Sequence, residues 1–342
     1  MPAHPNTPIT ELALLDPALD ALRGMGLKAD ARATRQGDAQ LRLQFGNKTM
    51  TRTIEVKRHV TQANLGTVAH QLERLKAPLL VTEYATPAVA ERLRELNIQF
   101  VDTAGNAYIQ DPPLLIWVTG RRPEQLPREE RTTRAFQPGG LKLLFALLCT
   151  PGLANTAYRN IAEAADVANG TVGWVMTDLK EAGFLVDLGT GGRKLVNRRK
   201  LLDQWVEGYA RQLRPKLMTG RFRVLAPDRI KGGRLTTPGA RWGGEAAAAK
   251  LTGYLKPGVT TIYLPKDAKA QANLMKEFRL VKDATGEVEL RQIFWRFETP
   301  EYPDTVPPLL VYADLLATAD DRNIETARIL YDEHLAGLIE AA

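Results

Sequence analysis

Apolar residues recur along this chain in two periods. Between residues 39 and 57 they alternate with polar ones, at Leu41, Leu43 and Phe45 and again at Met50, Ile54 and Val56. Gly46-Asn47-Lys48 lies between the two runs, so the pattern predicts a β-hairpin. On either side the spacing becomes helical, over residues 9–25 before the hairpin and over 64–75 and 88–96 after it, with apolar strands at 78–83 and 98–102. A hairpin continued by helix–strand crossovers predicts a mixed α/β sheet. Gly105-Asn106 suits a tight turn between two further strands.

Breaker-rich stretches divide the chain. Residues 119–140 hold Arg121-Arg122-Pro123, Pro127 and Pro138-Gly139-Gly140 and read as a linker. A second break falls at Arg214-Pro215-Lys216, before a new alternation at Phe222, Val224 and Ala226. Three segments follow, 1–120, 138–215 and 216–342. The last is expected to carry an alanine-rich helix after Gly243-Gly244, strands at 258–263 and 288–297, and helices at 308–318 and 323–338. The fold class expected is α+β or α/β and multidomain.

The central segment has the clearest pattern. Leu141–Leu148 reads as a buried helix. Ile161, Ala165 and Val167 are spaced to close on Val172, Val175 and Leu179 across a turn at 166–169, with a second helix opening at Gly170. Asn169, Thr171, Trp174, Thr177 and Asp178 then turn away from that contact, although Trp174 suits a core equally well. Phe184–Asp187, the turn 189–192 and Arg193–Val196 form a second hairpin, expected to have a basic tip. This stretch resembles the winged helix-turn-helix of bacterial transcription regulators. A helix N-terminus there would aim Asn169, Thr171, Trp174 and Thr177 at base edges, while Arg193, Lys194, Arg198, Arg199 and Lys200 neutralise phosphates. The alternative is a protein-interaction module with a solvated basic face.

Charge sharpens that choice. The chain has 46 Lys and Arg against 39 Asp and Glu, a net +7. Residues 191–250 hold 15 basic and 4 acidic side chains, whereas 301–342 hold 2 basic and 9 acidic. The first surface suits a polyanion such as double-stranded DNA, and the second suits a protein partner. Cys149 is the single cysteine, and His4, His59, His70 and His334 are scattered, so no disulfide, closed zinc site or catalytic triad is expected. The acidic, lysine-free start and the absence of a long apolar run exclude a secretory signal and a membrane span, and point to the cytoplasm.

Asp38 heads one strand of the first hairpin, and Ile54-Glu55-Val56-Lys57 ends the other, with Gln71 on the next helix. Two carboxylates converging from adjacent strands can hold Mg²⁺, and a lysine beside them can activate water. The set resembles the PD-(D/E)XK nuclease fold, a restriction-endonuclease-like mixed sheet. It departs from that pattern in having Gly37 rather than Pro before Asp38, and in the basic extension Arg58-His59. A solvent-facing Glu–Lys pair and a degenerate scaffold are the other readings; without catalysis no cofactor is required.

Taken together, Phe100-Val101-Asp102-x-x-Gly105-Asn106-Ala107-Tyr108, the central segment, Gly243-Gly244-Glu245-x-Ala247-Ala248 with Leu255-Lys256-Pro257, and Leu309–Leu316 followed by Arg322-x-x-Glu325-Thr326-Ala327 resemble the AbiEi family. That resemblance, over roughly residues 95–335, implies a transcriptional regulator of its own operon. Its C-terminal domain would counter a nucleotidyltransferase-type toxin without a stable complex. A nuclease-like segment before Asp102 departs from the better-known members. Three functions stand at this point: a DNA-binding regulator, a Mg²⁺-dependent endonuclease targeted by the winged helix, and an adaptor using the acidic helices. Gly243-Gly244 could serve close packing or a phosphate, and Asp314, Asp320 and Asp321 read as surface acids and a helix cap.

Overall fold

The computed structural model describes residues 12–34, 37–62, 64–123, 134–225, 230 and 234–340. The beginning of the first expected helix (9–11), the middle of the expected linker (124–133) and Ala226 lie outside them. The chain is a mixed α/β protein whose contacts divide it into two compact units, Met1–Glu130 and Arg131–Ala342.

In the first unit, α1 (Leu15–Gly24) precedes a seven-stranded sheet in sequential order. β1 (Lys28–Arg32), β2 (Ala39–Phe45) and β3 (Lys48–Lys57) form an antiparallel meander. The β2–β3 turn pairs Phe45 with Lys48 and places Gly46 at φ 56°, a conformation glycine adopts without steric cost. From β3 the chain crosses over through α2 (Leu65–Leu72) to parallel β4 (Pro78–Thr82), and through α3 (Pro87–Glu95) to parallel β5 (Phe100–Asp102). β6 (Ala107–Asp111) and β7 (Leu114–Val118) then return antiparallel. Leu19 and Leu22 of α1 pack on Leu41, Leu43, Ile54, Val56, Leu79 and Val81, the inward half of each alternating strand. The Gly105-Asn106 turn forms as expected, with Gly105 at φ 89°, and Asn106 makes it a plug: Asp102 accepts bonds from the Asn106 backbone, the Asn106 side chain and the Ala85 backbone.

Asp111, at the end of β6, receives Lys48 Nζ and, at 2.7 Å, Arg52 Nη2. Bonds from Lys48 and Arg52 hold its carboxyl below the ordinary 3.8. The stabilisation is therefore complete above pH 3.8 and drains away as the pH falls through the lowered value. Asp111→Asn is expected to destabilise this unit by about 1 kcal/mol at neutral pH and by much less near pH 2, checked by urea unfolding at both.

The second unit begins with a 3₁₀ turn at Arg134–Phe136, followed by α4 (Pro138–Cys149), buried along nearly its whole length. α5 (Tyr158–Ala165) and α6 (Asn169–Glu181) follow, then a hairpin of β8 (Leu185–Asp187) and β9 (Arg193–Leu195). α7 (Arg198–Gly208) continues through a π-helical turn, Tyr209–Leu213, into α8 (Arg214–Leu217). The rod carries Trp205 and Tyr209 into the interior. Trp205 stacks on Phe145 of α4 and on Tyr209, and Phe145 also meets Phe294, Trp295 and Phe297. The Trp205 indole donates to the Leu141 carbonyl at 2.8 Å.

The rest of the unit is a five-stranded sheet in the order β11-β12-β14-β10-β13. Its strands are β10 (Met218–Val224), β11 (Arg241–Gly243), β12 (Thr260–Leu264), β13 (Leu280–Lys282) and β14 (Val288–Gln292). The helices are α9 (Gly244–Thr252), α10 (Ala268–Glu277), α11 (Pro308–Leu316) and α12 (Asp321–Leu330), the last continuing through Tyr331–Leu335 into α13 (Ala336–Glu340). A Cβ on Gly244 would stand 2.8 Å from Thr261 Oγ1, and one on Gly243 2.5 Å from the Tyr263 ring, so Gly243-Gly244 serves close packing. Asp320 caps α12 by accepting the Arg322 and Asn323 amides. Asp314 corrects the expectation of a surface acid. It is 2 % exposed because three donors satisfy it: Tyr209 Oη at 2.9 Å, Tyr263 Oη at 2.8 Å and Arg214 Nε at 3.1 Å.

Candidate nucleic-acid interface

The α5–α6 pair closes through Ile161, Ala162 and Ala165 against Val172, Val175 and Leu179, all buried. Small alanines allow the approach, and Asp166 makes the turn in the left-handed region at φ 51°. Arg296, following β14, binds that turn from outside: its guanidinium lies 2.6 Å from Asp166 Oδ1, and its amide donates to Ala164. α6 opens one residue earlier than the spacing predicts, at Asn169, with no side chain capping its first amides.

Opposite the buried stripe, α6 shows Asn169, Trp174, Thr177 and Lys180 to solvent. Trp174 is 59 % exposed, which resolves its ambiguity, and Arg134 lies over its indole at 4.4 Å. Thr171 is half-buried, and Asp178 is half-buried because it accepts the Ala135 amide at 3.1 Å. Thr177 bonds back to the Gly173 carbonyl.

The candidate cations divide by environment. Lys194 is exposed on β9. Arg193 ties the hairpin to the start of α5: Nη2 donates to the Thr156 carbonyl at 2.8 Å, the guanidinium lies over Tyr158 at 5.0 Å, and the backbone amide bonds Asn155. Arg198 donates to the Leu338 carbonyl at 3.0 Å. Arg199 is turned into the fold, 3.9 Å above the Tyr331 ring, with Nη2 3.4 Å from Tyr312 Oη and Nε 3.3 Å from Asp203. Lys200 is half-buried on the same helix. The hairpin tip departs from its expected basic character: Leu188, 53 % exposed, precedes a 3₁₀ turn at Gly189–Gly191, and the cations stand on the return strand. The sequence reading missed Arg134, Arg159 and Lys180, all exposed around these elements. Lys180 had a signal in its helical spacing, three residues after Thr177 on α6; Arg134 and Arg159 stand singly on other elements and had none.

On the first unit, Glu55 and Lys57 share the face of β3 opposite the α1 core and pair with each other at 3.1 Å. Asp38 Oδ2 accepts the Val56 amide at 2.8 Å, which closes the end of the β2–β3 ladder. Gln71 is buried in α2, and its Oε1 has no hydrogen-bond partner among the described residues. Among those residues no group of three or more His, Cys, Asp or Glu is placed to hold a metal ion. Cys149 is half-buried at the end of α4, and the burial of its thiol pushes it well above the ordinary value. No helix among the described residues is long and apolar enough to cross a membrane.

Residues 194–336 fit the family described as transcriptional regulator, AbiEi antitoxin, type IV TA system, and over that span the resemblance read from the sequence is borne out. The match covers less than half of the chain. It begins at Lys194, so α5 and α6 precede it. Neither the curated proteins nor the solved structures gave a match.

Proposed function

We propose that the chain is a sequence-specific double-stranded DNA-binding transcriptional regulator, with α4–α6 and the β8–β9 hairpin acting as a winged helix-turn-helix. The observation that carries this reading is the solvent-facing side of α6, where Asn169, Trp174, Thr177 and Lys180 lie free of the buried stripe. Cations around these elements add non-specific phosphate affinity, and side chains at the α6 N-terminus read base edges. Lys194, Lys180, Arg159 and Arg134 are the exposed phosphate contacts in this reading, with Arg193 holding the hairpin in place. Arg198 and Arg199 act mainly by packing.

The family matched by residues 194–336 supplies the biological setting: control of the chain's own toxin–antitoxin operon, with the second unit acting against a toxin. The test is a mobility-shift titration of the purified full chain on the duplex upstream of its own coding region and on a scrambled duplex of equal length. At physiological salt the upstream duplex is expected to bind at least about 1000-fold more tightly. Equal affinities would reject specific regulation.

A further inference from the structure

The sheet of the second unit leaves a cavity of about 280 Å³ between β10, β12 and β14 and the helices α9, α11 and α12. It is separate from the solvent-facing side of α6, and nothing in the DNA-binding reading uses it. Its lining forms two hydrogen-bonded groups. In one, Arg214 lies 3.1 Å from Asp314 and 3.9 Å from Glu289, and Arg221 lies 3.8 Å from Glu289 while donating to the Gly286 carbonyl. In the other, Asn323 Nδ2 donates at 3.0 Å to both Glu245 Oε1 and Thr318 Oγ1, beside the capping Asp320.

Asn323 is 1 % exposed, and its Oδ1 has no hydrogen-bond partner among the described residues. Thr318 Oγ1 already donates its proton to the Leu315 carbonyl and so accepts from Asn323, which fixes which side-chain atom is the nitrogen. A buried amide oxygen without a donor costs free energy, and at the wall of a polar cavity an entering N–H group would remove that cost. The charges narrow the choice of ligand. Four lining carboxylates, Glu245, Glu289, Asp314 and Asp320, face two lining guanidinium groups, while Arg291 lies 2.7 Å from Glu289 and Arg322 3.5 Å from Asp320, so the charges about the cavity balance. That balance favours a ligand that is neutral overall over a phosphate dianion, and the two lining arginines offer a seat to one carboxylate. The volume lies at the small end of ligand sites, below the range expected for a nucleotide.

We propose that this cavity binds a free α-amino acid, its carboxylate on Arg214 and Arg221 and its ammonium on Asn323 Oδ1 and Asp320. A zwitterion is neutral overall and supplies both the anion and the missing donor. The test uses the full chain without DNA, titrated calorimetrically and by thermal shift with each of the twenty amino acids, inorganic phosphate and AMP. At least one amino acid is expected to give saturable heat and to raise Tm by about 3–6 °C at ten times its Kd. Asn323→Leu removes the acceptor and is expected to abolish binding. Arg221→Met, at a partly exposed side chain, is expected to weaken binding about tenfold. Binding by none of the twenty, binding by phosphate or AMP alone, or undiminished binding by Arg221→Met would each overturn the proposal.

Discussion

Trp174→Ala is expected to reduce affinity for the preferred duplex about 30-fold while barely changing affinity for random sequence. Its indole is the largest exposed apolar side chain on the solvent side of α6, and it also holds Arg134 in place from 4.4 Å. Truncating such an anchor typically costs about 2 kcal/mol or more. Lys194→Ala should act differently, weakening every duplex and lowering the slope of log K against log salt by about 0.9, the contribution of one phosphate contact. Arg199→Ala separates a DNA contact from a packing cation. Since its guanidinium is committed to Tyr331, Tyr312 and Asp203, it should lower Tm and leave the salt slope unchanged. Salt-dependent titrations of the three variants settle the matter, and an unchanged slope for Lys194→Ala would remove the hairpin from the interface.

The other large effect is expected at Asp314. Asp314→Ala leaves Arg214 without its closest carboxylate and two buried tyrosine hydroxyls without their shared acceptor. Breaking one side of a buried, hydrogen-bonded charge pair costs about 3–5 kcal/mol. A fall in Tm of about 10 °C is expected by calorimetry. The same network sets an alkaline limit. Burial first, and the Asp314 charge second, push the Tyr209 and Tyr263 hydroxyls above the ordinary 10. Both folded values are raised, so this stability is complete below pH 10 and is lost as the pH climbs above it. A Tm at pH 11 no lower than at pH 8 would contradict the assignment.

Period and sign were legible in the sequence, and distant partners were not. The period-2 runs around Gly46 and the helical spacing of Ile161, Ala165, Val172, Val175 and Leu179 both reappear as buried faces, because local geometry alone decides which side of an element is apolar. Residues 288–297 read as one strand, yet β14 ends at Gln292. Its aromatic continuation, Phe294, Trp295 and Phe297, is drawn out of the sheet onto Phe145. Arg198 and Arg199 looked like Lys194 in a basic run; only the helices closing the chain, with Tyr331 and Leu338, distinguish them. Asp314 read as a surface acid because neither Tyr209 nor Tyr263 is near it in the chain. In the first unit the strand positions of Asp38, Glu55 and Lys57 were legible, but the ladder bond that occupies Asp38 was not.

The α7–α8 rod has a practical consequence. Trp205 and Tyr209 are shared between the helices before the rod and the sheet after it, and the breaker at Arg214-Pro215 lies inside the rod rather than between separable parts. A fragment cut near residue 215 would present the Phe145 ring and a row of stacked aromatics to water, an invitation to aggregate. Dissecting DNA recognition from anything the second sheet does therefore calls for point substitutions in the intact polypeptide rather than deletion.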